Sequence, residues 1–229
     1  MAGSASEVEE AECPVCGTVA DAFLPGGRPD RPRPDCRCPG CGSLERHRAF
    51  WLFYRERTGL FADALRMLHV APEPCLAKRF RRLPNITYLS ADLNPAKAMI
   101  ALDLTQSTLP DNGFDVIHAS HVLEHISDDV AAMRELHRML SPGGLALLAV
   151  PVWGDTTQED PAITDPAERA RRYGQADHVR MYGRDGILQQ RLRTAGFSVT
   201  EDRLIKDMEP ALRRRYRVRA REPIFACVA

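Results

Sequence analysis

The sequence lacks what would take it into a membrane or commit it to a polyanion. No apolar run is long enough to span a bilayer, and the longest, Leu145 to Trp153, is interrupted by Pro151. The first twelve residues are acidic and carry no apolar signal core, which argues against secretion and for a cytoplasmic protein. Lys and Arg number 31, as do Asp and Glu, so the formal net charge is zero and nothing global draws the chain to nucleic acid. With 44% hydrophobic positions in 229 residues, the chain is too apolar to be disordered throughout. It is long enough for one sizeable core with a small appendage.

Cysteine is scarce after residue 41 but crowded before it. Cys13, Cys16, Cys36, Cys38 and Cys41 precede an ordinary stretch that contains only Cys75 and Cys227. Disulfides are rare in a reducing compartment, so such crowding points to metal ligands. Cys13-Pro-Val-Cys16-Gly and Cys38-Pro-Gly-Cys41-Gly are two copies of one loop. In each, two thiolates converge on one ion while the glycine permits the tight turn. Four such sulfurs make a closed tetrahedral site for structural Zn2+, Cys13, Cys16, Cys38 and Cys41, stabilising a segment too small for a core. Cys36 could replace Cys38 as a ligand, although the repeated motif favours Cys38.

The remaining pattern divides the chain into an acidic, disordered lead (1–12), a zinc ribbon (13–43) and an α/β domain (44–229). Ser43 can cap a helix over 44–57. Strands are expected at 66–71, 86–91, 99–102, 114–120, 145–150, 197–200 and 224–228. Helices are expected at 75–82, from a Ser127 cap to Leu140, and at 185–195. Pro142, Gly143 and Gly144 should stop the second of these helices. Residues 154–182 read as an irregular lid. This alternation implies a doubly wound, mainly parallel seven-stranded sheet.

In such a sheet ligands bind beyond the carboxyl ends of the strands, at the topological switch point. Asp92 closes the second strand, where a carboxylate can accept hydrogen bonds from ribose hydroxyls. Asp103 follows the third, beside the Leu104 amide, where an adenine amino group can be met. Either aspartate alone would more often be a cap or turn residue; together they favour a nucleoside-containing cofactor.

At these positions the chain resembles the class I S-adenosylmethionine-dependent methyltransferases, a Rossmann-like fold, and in particular their type 11-like domains. The likeness is carried by LHVAPE (68–73), LSADLNP (89–95), ALDLTQSTLPDNGFDVIHASHVLEHI (101–126) and LHRMLSPGGLALLAVP (136–151). It extends to bacterial proteins that join a CPxCG ribbon, CGSLERHR (41–48) and DHVRMYGRD (177–185) to that domain. The resemblance implies an S-adenosylmethionine pocket formed by Ala71, Glu73, Asp92, Asp103, Leu104 and the Ser120–His121 corner. Arg46 and Arg48 are candidates for its methionine carboxylate. The glycine-rich first loop of the superfamily is absent; Ala71-Pro72-Glu73-Pro74 stands there instead.

His121-Val-Leu-Glu124-His125 also fits the H-x-x-E-H pattern of inverted zinc peptidases, which needs both histidines on one helix face. Because it follows a strand directly, the pair is expected to straddle a turn. His178 and His121 are the candidate acid–base residues for methyl transfer. Arg213, Arg214, Arg215, Arg217, Arg219 and Arg221 concentrate charge near the end, and Arg215, Arg217, Arg219 and Arg221, alternating with Tyr216, Val218 and Ala220, are expected to form the solvated face of a strand. The resulting expectation is a methyltransferase acting on a small metabolite or peptide acceptor. An RNA acceptor and a non-catalytic ribbon protein with a degenerate cofactor domain are the alternatives. The sequence leaves the oligomeric state open.

Overall fold

A computed structural model describes residues 10–28, 31–219 and 223–229. The first nine residues of the expected acidic lead, Pro29 and Arg221 lie outside the described residues. In chain order, short strands β1 (Ala11–Glu12) and β2 (Val19–Ala20) precede strands β3 (Leu24–Arg28) and β4 (Arg31–Arg37), then helix α1 (Glu45–Arg57). Next come β5 (Leu65–Val70), α2 (Pro74–Phe80), β6 (Ile86–Asp92), β7 (Ile100–Ala101) and β8 (Phe114–Ser120). After a 3-10 turn at Leu123–His125 follow α3 (Asp129–Met139), β9 (Leu140–Ala149), β10 (Gln158–Glu159), α4 (Pro166–Tyr173) and β11 (Arg180–Met181). The chain ends with α5 (Ile187–Thr194), β12 (Ser198–Asp202), α6 (Leu204–Asp207), α7 (Pro210–Arg215) and β13 (Ile224–Val228). Among the described residues no helix is long and apolar enough to cross a membrane.

The chain forms two compact units. One comprises the described residues of Met1–Phe61, Pro74–Arg82 and Arg203–Arg221. Here β1 and β2 pair, as do β3 and β4, both antiparallel. Pro25, Pro32 and Pro34 are accommodated because this is an isolated two-stranded ribbon, where a missing amide costs no inner ladder bond. Arg48 on α1 is fully buried and organises the unit. Its guanidinium donates to the carbonyls of Ser43 (2.6 Å), Cys36 (3.1 Å), Tyr216 (2.8 Å) and Arg217 (2.6 Å). Each of its three nitrogens therefore serves backbone, which corrects its expected role at a cofactor carboxylate; Arg46 is half-buried on the same helix.

The basic segment is corrected as well. Arg215 ends the helix α7 rather than opening a strand, and Arg217 adopts a left-handed backbone with φ 48°. Arg215 pairs with Glu12, Arg217 with Asp35, and Arg219 with Glu45 at 3.2 Å. Acidic partners within the unit thus balance a charge run that looked solvated in the sequence.

The second unit, Ala62–Glu73, Leu83–Asp202 and Glu222–Ala229, carries the seven-stranded sheet in the order β12-β13-β9-β8-β5-β6-β7. Pairings from β9 to β7 are parallel; β12–β13 and β13–β9 are antiparallel. Side chains alternate along each strand. Leu68, Val70, Ile117, Ala119, Ala146 and Leu148 join Met133, Leu136 and Met139 of α3 and Leu188 and Leu192 of α5 in one buried cluster. Because chain order reverses between β5–β6–β7 and β8–β9, the switch point lies between β5 and β8.

Three expectations change here. Asp128, not Ser127, caps α3, accepting the Ala131 amide at 2.9 Å. β9 begins at Leu140, so Pro142 and the two glycines lie within the strand and not in a separate stop. Residues 154–182 contain β10, α4 and β11, with Asp165 capping α4 and Gly174 closing it in the left-handed conformation.

Candidate functional site

Beyond the carboxyl ends of β5, β6 and β8 lies a crevice of about 540 Å³. Ala71, Asp92, Asp103, Leu104 and His121 line it, as the sequence suggested. Its wall also takes in Leu93, Asn94, Lys97, Val122, His125 and Asp177, none of which the sequence reading assigned to the pocket.

Two wall residues have unusual backbones: Ala71 has φ 48° and His121 has φ 57°. Both follow a strand directly, and both keep the ladder going by one bond. The Ala71 amide donates to the Ala91 carbonyl and the His121 amide to the Ala149 carbonyl, each at 2.8 Å. The chain must then turn away at once, which requires the left-handed region that glycine would occupy without strain. The first loop has thus lost its glycine but kept a glycine-like backbone, at a cost of about 1–2 kcal/mol.

The two aspartates are held by their own loops. Asp92 Oδ1 accepts the Asn94 amide at 2.8 Å. Asp103 Oδ1 accepts the Thr105 hydroxyl at 2.7 Å and the Thr105 amide at 2.9 Å, which lowers its carboxyl below the ordinary value. Among the described residues, the Oδ2 of each has no protein partner. Each carboxylate is therefore both a turn residue and a ready acceptor, which reconciles two roles that compete in the sequence.

Glu73 and Ser120 stand off the crevice lining. Glu73 Oε2 is 2.8 Å from His69 Nε2 and 3.6 Å from His118 Nε2. Burial pushes the Glu73 carboxyl up, but the His118 and His69 imidazoles outweigh it and hold the group well below the usual range. Ser120 is buried at the end of β8, its hydroxyl without a partner.

His178 lies outside the lining too. It is buried, with Nδ1 on the Tyr173 carbonyl at 2.9 Å, and burial lowers its pKa. His121, which does line the crevice, places Nδ1 3.2 Å from Glu124 Oε1. As expected, the H-x-x-E-H pair straddles a turn: His121 sits at the corner and His125 ends the 3-10 turn.

The DHVRMYGRD segment holds this corner. Arg180 donates to the carbonyls of Leu123 (2.9 Å), Ile126 and Ser127 (2.7 Å), and the Val179 amide donates to the Glu124 carbonyl at 2.9 Å. The Tyr182 hydroxyl donates to Asp129 at 2.5 Å. Its pKa is raised by burial and by the Asp129 charge.

In the first unit Cys13, Cys16, Cys38 and Cys41 bring their sulfurs within 4.8 Å of one another. Cys13 and Cys41 are 3.7 Å apart, Cys16 and Cys38 3.6 Å. Cys36 is buried outside this group, with its sulfur close to Gly26, so the ambiguity with Cys38 resolves toward the repeated motif. Ser43 does not cap α1. Its buried hydroxyl lies 3.2 Å from Cys13 Sγ, while the Leu44 amide donates to His47 Nδ1 at 3.1 Å. Hydrogen bonding from the Cys13 thiol holds Cys41 down at about 4, with Ser43 adding to it, whereas Cys13 is raised by that same contact and by burial.

A family model described as a methyltransferase domain matches residues 57–202. Phosphoethanolamine N-methyltransferase 3 of Arabidopsis thaliana is 35% identical over 104 residues. That match covers 44% of this chain and 19% of the relative, so the likeness spans about a fifth of that protein's length. Among solved structures, an S-adenosylmethionine dependent methyltransferase from Mesorhizobium loti superposes with a TM-score of 0.53 at 18% identity, covering 79% of this chain and 98% of the other. The YcgJ protein of Bacillus subtilis gives 0.52 at 16% identity, covering 80% and 94%. At these identities the structural likeness establishes the fold alone. The match of the family model over more than half of the sequence establishes more: the chain belongs to the family of methyltransferase domains, and it has the fold of the S-adenosylmethionine-dependent enzymes of class I.

Proposed function

We propose that the crevice beyond β5, β6 and β8 binds S-adenosylmethionine and that the chain transfers its methyl group to a small metabolite or peptide. The observation that carries this is the pair of aspartates, each with one oxygen fixed in a turn and the other unbonded. Asp92 accepts from the ribose hydroxyls, while Asp103 with the Leu104 amide meets the adenine edge. The cavity volume falls in the range of small-molecule sites. The left-handed backbone at Ala71 lets the first loop pass close to the cofactor without a glycine. When bound, the cofactor supplies a methyl group already activated by the sulfonium charge.

What remains for the protein is positioning and exclusion of water. His121 is placed to orient an acceptor or take its proton, since it lines the crevice and is steadied by Glu124. His178, buried and bonded to Tyr173, acts behind the wall and not at the acceptor. The partial likeness to a phosphoethanolamine N-methyltransferase agrees with a small acceptor. The basic segment does not favour RNA, because Arg215, Arg217 and Arg219 already have acidic partners. The four clustered cysteines hold a structural Zn2+ that fixes the β1–β4 segment.

The test is incubation of the enzyme and donor with cell extract, followed by a search for species heavier by one methylene. A methylated small molecule or peptide supports the reading. Methylated RNA as the sole product would replace the acceptor, and no transfer together with no donor binding would remove the proposal.

A further inference from the structure

Glu124, His125 and His178 form a second group of ligand-type side chains, chemically unlike the cysteines. Glu124 is 1% exposed, and neither of its carboxylate oxygens accepts a hydrogen bond; His121 Nδ1 makes only an ion-pair contact. His178 is 2% exposed and donates Nδ1–H to the Tyr173 carbonyl, so its lone pair is on Nε2. That Nε2 is buried and has no hydrogen-bond partner among the described residues. Glu124, His125 and His178 each bring one ligand-type atom within 4.8 Å of the other two.

A carboxylate removed from water without hydrogen bonds is costly unless it is paired or coordinates a metal. Ligands about 2.1 Å from one ion stand roughly 3–4 Å apart, inside the 4.8 Å that bounds this group. Metal-bound imidazoles give their other nitrogen to a carbonyl or carboxylate. His178 does so to Tyr173, and His125 Nδ1 stands 3.3 Å from Asp177. The ligand turn is anchored beforehand by Arg180 and Val179. The other buried trio, His69, Glu73 and His118, lacks these marks, because Glu73 is already bonded to His69, whose Nδ1 meets the Tyr88 hydroxyl at 3.0 Å.

We propose that Glu124, His125 and His178 bind a divalent first-row transition ion such as Mn2+, Fe2+ or Zn2+. Two imidazoles and one carboxylate suit such ions and leave coordination positions for water or an acceptor oxygen. His125 also lines the crevice, so the ion adds positive charge behind that wall, suited to an acceptor with an anionic or ionisable oxygen. The site goes beyond the methyltransferase reading and does not rest on it.

Mn2+ is a poor partner for thiolates, so it distinguishes this group from the cysteines. The wild-type protein, carrying its own complement of zinc, is titrated with MnCl2 while the free Mn2+ signal is followed by electron paramagnetic resonance. One bound ion per chain is expected, with affinity falling about tenfold or more in His125→Gln and His178→Gln. No bound Mn2+ and no second zinc equivalent in the wild type, or unchanged affinity in both variants, overturns the proposal. If circular dichroism shows the variants unfolded, anomalous scattering from wild-type crystals soaked in MnCl2 decides. A peak between the three side chains supports the site; a peak elsewhere, or none, overturns it. Cofactor binding measured in parallel keeps this outcome separate from failure of the methyltransferase reading.

Discussion

Asp92 Oδ1 accepts the Asn94 amide at 2.8 Å, so the residue that ends β6 is fixed by its own loop while its second oxygen remains unbonded. The same division recurs at Asp103, whose Oδ1 is held by Thr105. A turn acceptor and a ligand acceptor coexist in one carboxylate, and both carboxylates stand at the ends of neighbouring parallel strands.

The glycine-like backbone at Ala71 predicts a steep dependence on side-chain shape. Ala71→Gly should leave stability within about 1 kcal/mol of wild type, since relief of strain offsets the added chain entropy. Ala71→Val should cost about 2 kcal/mol and weaken donor binding, because a β-branched residue resists φ 48°. Urea denaturation and calorimetry of the two variants measure both effects.

Zinc analysis of protein purified without added metal should find one equivalent held by the cysteines. Cys38→Ser should lose it, and Cys36→Ser should keep it, since Cys36 is outside the sulfur cluster. Equal loss in both variants would contradict the ligand assignment.

Replacing Arg48 by Met should destabilise the protein by about 3 kcal/mol. The methionine fills similar space but leaves the carbonyls of Cys36, Ser43, Tyr216 and Arg217 without their donor. Chemical denaturation of the zinc-loaded protein reads the difference. A change below about 0.5 kcal/mol would mean that water replaces the guanidinium.

Acid stability should carry a contribution from Asp115. Its carboxylate bonds the Arg66 guanidinium, the Arg66 amide and Ser141, and the Arg66 guanidinium holds it down at about 2. A carboxylate depressed in the fold favours the native state above its unfolded pKa near 4 and loses that advantage as the pH falls toward 2. The pair is partly exposed, so the effect is about 1 kcal/mol. Asp115→Asn should be less stable than wild type at pH 6 by this amount and should converge with it near pH 2.

Much of this was legible in the sequence because periodicity and spacing carry it. The strands Phe114–Ser120 and Ile224–Val228 match the expected boundaries, and the repeated CPxCG loops specified which four sulfurs meet. Helix caps were misplaced by one residue: Ser127 and Ser43 are good caps in isolation, but Asp128 sits closer to the first turn of α3, and Ser43 is drawn to Cys13. The basic run misled because alternation of arginines looks like a strand, whereas their partners Glu12, Asp35 and Glu45 are remote in sequence. The grouping of His178 with Glu124 and His125 was beyond local patterns for the same reason, since long-range contacts such as those of Arg180 and Val179 bring those segments together.

The most direct test of the account is a calorimetric titration with S-adenosylmethionine of the wild type and of Asp92→Ala. The account predicts binding by the wild type and a loss of about 1–3 kcal/mol in the variant, the scale of a buried hydrogen bond left unmade. Absence of binding in the wild type, or equal affinity in the two proteins, would contradict it.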